Sequence, residues 1–248
     1  MEKIGLQLYS VKELSEKDFL GTLASVAKVG YDGVEFAGYF GTSAKELKKA
    51  LDDGGIKACG SHISMEALDK DLDGMIAYSQ EIVSPYIICP YLGGEWVGSA
   101  DAWKRTAERF NVIGRKCVEN RLLFGYHNHD FEFVKYGDKM AYDILVENTD
   151  PENLFLELDT YWVDFAGMDL SEFMDKYSKR IKLLHMKDRK SLEDKRNTEI
   201  GKGVMDIQAI VTAGKKLGAH WYIVEQEYFD IDPIRSIAES LHFMRDIT

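Results

Sequence analysis

The sequence predicts a single (β/α)8 TIM barrel spanning residues 1–248. Three observations predict it. Eight short β-type runs recur along the whole chain, their starts 23 to 40 residues apart, the spacing of a strand-plus-helix unit. The runs have few polar interruptions and amphipathic helical patterns lie between them, which is how a parallel sheet covered by helices reads. No proline- or serine-rich linker and no shift in composition divides the chain, and about 200–250 residues is an ordinary size for one such barrel. An open doubly wound sheet is the alternative. It loses its main signatures, because no GxGxxG follows the first run and GxxxxGK[ST] occurs nowhere.

The elements follow in order. The first run is 4–9 (IGLQLY), after which Ser15-Glu16-Lys17-Asp18 reads as a capping box. It opens a helix with Phe19, Leu20, Leu23, Val26 and Ala27 on one face, closed by Gly30. Residues 33–37 (GVEFA) form the second run, and Ser43 caps a helix, AKELKKAL, that stops at Gly54-Gly55. The third and fourth runs are 56–62 (IKACGSH) and 86–90 (YIICP), followed by an amphipathic period over 101–119. The fifth and sixth are 122–127 (LLFGYH) and 154–159 (LFLELD), and Asp169 starts the helix LSEFMDKY. After the seventh run, 181–186 (IKLLHM), Asp206 starts IQAIVTAGKKLG. The eighth is 221–226 (WYIVEQ), and Asp232-Pro233 places proline at the first position of a last helix carrying Ile234, Ile237, Ala238 and Leu241.

Charge excludes some partners. With 42 acidic against 31 basic residues the net charge is −11, which repels phosphate backbones and anionic lipid, so no nucleic acid and no membrane partner is expected. The apolar start is cut short by Gln7 and Lys12, so there is no signal-peptide core, and no stretch approaches the roughly 18 apolar residues of a membrane span. Cys59, Cys89 and Cys117 are odd in number and lack a CxxC pair, as reduced thiols do. A cytoplasmic enzyme or binding protein is expected.

In such barrels the active site lies at the carboxyl ends of the strands. Ionisable residues gather there: His62, His127, His129 and His185 at or beyond runs three, five and seven, Glu35 late in run two, Asp159 ending run six and Glu225 late in run eight. Each alone has a plain structural reading, a hydrogen-bonded histidine or a carboxylate capping the next helix. Together they converge. Asp159 and Glu225 are flanked by apolar residues, and a metal ion is one thing that offsets the cost of enclosing such carboxylates. Imidazole and carboxylate donors suit one divalent metal ion, Mn²⁺ or Co²⁺ in preference to Ca²⁺, with Zn²⁺ also compatible and Mg²⁺ less so beside two histidines. The absence of thiolates excludes a cysteine-type structural zinc site.

The sequence resembles the xylose-isomerase-like barrel superfamily, the sugar phosphate isomerase/epimerase group that also includes inosose dehydratase, ketose 3-epimerases and endonuclease IV. The carriers span the chain: LQLYSVKE, GYDGVEFAGYFG, SHIS, GYHNHDFEF, LELDTYWVDFAG, HMKDR, EIGKGVMD and YIVEQE. The resemblance implies a metal held by residues ending strands five to eight, usually Glu, Asp, His and Glu. Asp159, His185 and Glu225 take the last three places, and His127 stands where many relatives have glutamate, with His129 or Glu132 as alternative strand-five ligands. Losing one of two opposed glutamates shifts the expectation from a two-base epimerase toward a one-base isomerase, dehydratase or lyase, and the YHxH pattern is similar to the inosose dehydratase branch. Endonuclease activity is excluded: Trp162 replaces the histidine expected three residues after the aspartate, and the net charge argues the same way.

The chemistry implied is α-proton abstraction from a sugar or polyol ketone with a metal-stabilised enediolate. His129 or Glu225 is the expected base and His62 a second acid/base. Lys187 would neutralise the enediolate or bind phosphate, and Asp188 would orient His185. Glu35 would accept sugar hydroxyls, while Trp162, Tyr9 and Trp96 would stack on a sugar face or simply pack. Gly201-Lys202-Gly203 reads either as a backbone anion cradle or as a tight turn with an exposed lysine. Relatives form dimers or tetramers, so a homo-oligomer is compatible. A non-catalytic sugar-binding barrel and a metal-assisted hydrolase are the competing readings.

Overall fold

Each apolar run becomes a strand because its β-branched and aromatic residues alternate between two enclosed surfaces. In the computed structural model, which describes residues 2–194 and 196–248, the strands are β1 (Ile4–Gln7), β2 (Gly33–Ala37), β3 (Lys57–His62), β4 (Tyr86–Cys89), β5 (Leu123–His127), β6 (Phe155–Asp159), β7 (Ile181–Met186) and β8 (Trp221–Val224). They pair in parallel in chain order, and β8 returns to β1 to close the barrel. The predicted (β/α)8 architecture is the observed one. Three strands stop early, β4 by one residue at Cys89. The Gln7 side-chain oxygen accepts the Tyr9 N–H and turns Leu8–Val11 into a 3-10 turn, and β8 ends at Val224, leaving Glu225 just beyond it.

Most helix boundaries follow the expected caps. Ser43 and Glu46 form a capping box on Ala44–Gly54, and Asp169, Asp206 and Asp232 cap their helices. The first expected cap is corrected. Ser15 is buried inside a short helix, Lys12–Lys17, and Asp18 caps Phe19–Val29 by accepting the Gly21 N–H. Gly30 closes that helix in the left-handed conformation (φ 105°). The helix predicted from Asp101 begins at Ala100, capped by Ser99, and a helix over Met65–Glu81 lacked a sequence expectation. Among the described residues no helix is long and apolar enough to cross a membrane.

One side of every strand packs on the helices. Ile4, Leu6, Val34, Phe36, Leu184 and Val224 join helical Leu23, Leu47, Val211 and Ile237 in one core. Phe124 and Tyr126 join Trp103, Phe110 and Ile113 in another. The other side faces the barrel axis. Cys59, Ile88, Phe155, Leu183, Trp221 and Ile223 plug the lower half. Gly125 makes room there, since a Cβ would lie 2.4 Å from the Phe155 ring. Toward the carboxyl ends the sequence turns polar, and Gln7, Glu35, His127, Glu157, Asp159, His185 and Glu225 are all buried.

Candidate active site

Strand alternation sends Glu157 and Asp159 to the same interior side, two residues apart on β6. Parallel register then sets His127 opposite Glu157 and Asp159 opposite His185. The result is two tiers. In the lower tier Glu35 and Glu157 meet three imidazoles. His62 Nε2 lies 2.7 Å from Glu157 Oε2 and 3.0 Å from Glu35 Oε2, and His185 Nε2 lies 2.7 Å from Glu35 Oε2. His127 Nδ1 is 3.3 Å from Glu157 Oε2. In the upper tier His185 Nδ1 is 2.9 Å from Glu225 Oε2, and His127 Nε2 faces Asp159 Oδ2 at 3.7 Å, too far for a hydrogen bond.

Asp159 divides its labour. Its Oδ1 accepts the N–H groups of Tyr161 and Trp162, capping the helix Thr160–Phe165, while Oδ2 is buried and takes no backbone N–H. The Lys187 ammonium sits 3.1 Å from that oxygen, 2.9 Å from Glu225 Oε2 and 3.1 Å from Glu227 Oε1. It also lies over the rings of Trp162 and Tyr161.

Charge pairing decides the protonation states. Burial alone would depress Lys187, but Asp159, Glu225 and Glu227 outweigh it and hold the ammonium well above its ordinary range. Burial would raise Glu225, yet Lys187 and then His185 hold it below the usual carboxylate range. His127 goes the other way: burial, with His185 next to it, pushes it well below a normal histidine and keeps it neutral. Burial and Lys187 likewise lower His129 to about 4. For His62, burial opposes protonation but Glu35 and Glu157 carry it up to about 9. The Gln7 amide, 3.2 Å from His62 Nδ1, works against that rise.

A cavity of about 670 Å³ opens above the upper tier. Its lining includes His62, His127, His129, Lys187, Glu225 and Glu227, with Tyr9 and Trp162 among its aromatic walls. His129 stacks on Phe131 and leans on Trp162, its Nδ1 buried and unpartnered. The structure thus brings together His62, His127, His129, Asp159, His185, Lys187, Glu225, Trp162 and Tyr9.

Other expected residues lie elsewhere. Glu35 does not line the cavity: it is fully buried and pairs with histidines, away from sugar-facing space. Glu132 accepts the Tyr126 hydroxyl and the His129 N–H, and is not in the ligand cluster. Asp188 does not orient His185, whose two ring nitrogens meet Glu225 and Glu35. Its carboxylate accepts the N–H groups of Gly201, Gly203 and Met205 instead. Those N–H groups are therefore occupied, Lys202 is exposed and paired with Glu239, and Gly201-Lys202-Gly203 is a turn. Trp96 packs against the second core.

Glu157, Gln7 and Glu227 were missed. The signal for Glu157 was available, because a strand that turns Asp159 inward must turn Glu157 inward too.

The upper tier fits a divalent ion. His127, Asp159, His185 and Glu225 each offer one ligand atom, all within 4.8 Å of one another. These four residues would hold the ion after small side-chain shifts, and Asp159 Oδ2, whose partner is the Lys187 ammonium, is the carboxylate oxygen free of backbone bonds. Lys187 shares two of the same oxygens.

Relatives agree with this architecture. An inosose dehydratase from Clostridium beijerinckii is 24% identical over 193 residues, 70% of this chain and 64% of that protein, so the match spans less than two thirds of that relative's length. One from Geobacillus thermodenitrificans is 23% identical over 86% of this chain and 83% of its own. The crystal structure of a sugar phosphate isomerase/epimerase from Parabacteroides distasonis superposes with a TM-score of 0.82 and 27% identity, covering 98% of this chain and 93% of that one. Residues 23–247 match the family described as xylose isomerase-like TIM barrel. With the closed barrel and the polar cluster at its carboxyl end, that match places the chain in the xylose isomerase-like TIM-barrel family.

Proposed function

We propose that the protein is a divalent-metal-dependent enzyme acting on a sugar or polyol by α-proton abstraction, as an isomerase, epimerase or dehydratase-type lyase. One observation carries the reading: His127, Asp159, His185 and Glu225, at or just past the ends of four strands, offer converging ligand atoms, with His127 and Glu225 lining an open cavity. A bound ion, Mn²⁺ by preference, with Co²⁺, Zn²⁺ or Mg²⁺ as alternatives, supplies carbonyl polarisation and charge stabilisation for an enediolate.

The chain's own groups do the rest. His129 is neutral at neutral pH and lines the cavity, so it can accept the α-proton; Glu225 is the other candidate base. His62 lines the cavity and is the candidate second acid/base. Lys187 brings a fixed positive charge to the developing oxyanion. Trp162 and Tyr9 offer flat apolar surfaces to a sugar ring. Three buried free cysteines suit a reducing, cytoplasmic setting.

A second reading draws on Lys187, whose ammonium neutralises Asp159 and Glu225 without any ion. On it the barrel is a non-catalytic sugar binder. Metal analysis of the purified protein, followed by exchange of ketoses and inososes in D₂O, separates the two. The proposal expects a bound ion and deuterium at the α-carbon, both abolished in Asp159→Ala, His185→Ala and Glu225→Ala. Exchange that survives in these variants after chelation would sink the mechanism.

A further inference from the structure

His185 is gripped at both ring nitrogens by buried carboxylates: Nδ1 by Glu225 above and Nε2 by Glu35 below. The lower grip is built with care. Glu35 Oε2 also accepts a hydrogen bond from Gln7 Nε2 at 2.8 Å. The Gln7 amide cannot turn over without loss, because its oxygen is committed to the Tyr9 N–H at 2.9 Å. Gly60 leaves the space Glu35 needs, since a Cβ there would lie 2.3 Å from Glu35 Oε1. Backbone, amide, carboxylate and imidazole therefore form one directed chain from the start of the chain to the site.

A chain so directed has a consequence for the ring. With no ion present, Glu225 and Glu35 favour a proton at each ring nitrogen; a cation shared with Asp159 and Glu225 would take the place of the Nδ1 proton, while Glu35 keeps the one on Nε2. We infer that Glu35 is a positioning residue for the cation site, fixing His185 as an Nε2–H tautomer whose Nδ1 is the sole ligand atom, aimed at Asp159 and Glu225. The inference rests on the metal reading above. It gives Glu35 a role through His185 and none in touching substrate.

The lower tier offers a second candidate set, since the ligand atoms of His62, His127, Glu157 and His185 also lie within 4.8 Å of one another. An ion there would meet His185 on the Nε2 side, where Glu157 Oε2 lies at 3.4 Å, and the test below separates the two. The same carboxylate–imidazole support recurs around protein-bound metals, where it raises ligand basicity and its loss weakens affinity about 10- to 100-fold.

The test uses the full chain loaded with ¹¹³Cd²⁺ and labelled with ¹⁵N-histidine, with His62→Gln and His129→Gln spectra to aid assignment. The expected signature is cadmium–nitrogen coupling at His185 Nδ1 together with a proton-bearing Nε2. Coupling at Nε2 overturns the inference. In parallel, Co²⁺ titration by visible absorbance should show affinity falling about 10-fold in Glu35→Gln, which keeps an acceptor, and toward 100-fold in Glu35→Ala. Folded variants that bind Co²⁺ as tightly as the parent overturn the positioning role while leaving the metal reading intact. A parent chain that takes up neither ion overturns both. If Glu35→Ala does not fold, the Glu35→Gln titration and the coupling pattern of the parent still decide.

Discussion

Glu132 illustrates how much one enclosed carboxyl can do without entering the chemistry. It is fully buried, and burial pushes its pKa up to about 8 despite hydrogen bonds from Tyr126 and His129. Unfolded, it titrates near 4.5. Between those values the folded chain holds a proton that the unfolded chain has lost, so Glu132 makes stability fall as pH rises through that window and contributes no further change above it. Glu132→Gln keeps acceptor capacity and cannot ionise. Urea unfolding at pH 5 and pH 8 should show the variant gaining on the parent as pH rises, by on the order of a few kcal/mol. A difference that does not change with pH would refute this account. At the same scale, Asp159 and His185 were legible because each is the polar end of an apolar run. Glu35 was legible as a polar strand residue, but its contact with His185 was not, since their strands do not pair and the two meet only across the closed barrel.

Loops and helices were legible where a local signal suffices. The Ser43–Glu46 capping box, Gly30 and Asp232-Pro233 act within a few residues, so their chemistry is complete in the sequence. Ser15 failed for a local reason too: Asp18, three residues later, is the better cap, and Ser15 already belongs to the preceding turn. The segment after β7 needed partners further away. Asp188 gathers three backbone N–H groups, from Gly201 and Gly203 at 2.9 Å each and from Met205 at 3.1 Å. Asp188→Ala strands those donors, and at about 1–3 kcal/mol for each unsatisfied group that water cannot reach, we predict a loss of roughly 2–4 kcal/mol. Chemical denaturation gives the magnitude, and amide exchange should rise first over residues 199–205. A variant as stable as the parent, with unchanged exchange there, would contradict the assignment.

Across the whole molecule the barrel unites two environments. Its lower half is an apolar plug, and its upper half encloses four carboxylates, Glu35, Glu157, Asp159 and Glu225, against the histidines and Lys187, with the exposed Glu227 at the rim. Enclosed like charges oppose folding, so a divalent ion that binds only the folded state should stabilise the entire barrel. At a free ion concentration of 100 times its Kd the gain is about 2.7 kcal/mol. For a chain of this size that is a rise in Tm of roughly 5–10 °C. Calorimetry with and without Mn²⁺ should show it in the parent and lose it in Asp159→Ala. The same midpoint in both conditions would count against an ion in the upper tier.

Periodicity and spacing announced eight strand-and-helix units, because each declares itself through neighbours close in the chain, and the missing dinucleotide and phosphate-loop motifs turned the reading from an open sheet to the closed barrel. They also brought the ionisable residues to the correct end. Which of those residues touch was decided by the tertiary structure. Register between strands pairs Asp159 with His185 and His127 with Glu157, and barrel closure brings Glu35 of β2 and Glu225, just past β8, to the two ring nitrogens of the same imidazole. The two carboxylates on His185 are 190 residues apart in the sequence, at positions 35 and 225. Side-chain hydrogen bonds act over about 3 Å, so a sequence carries no local trace of a contact made only when the sheet closes.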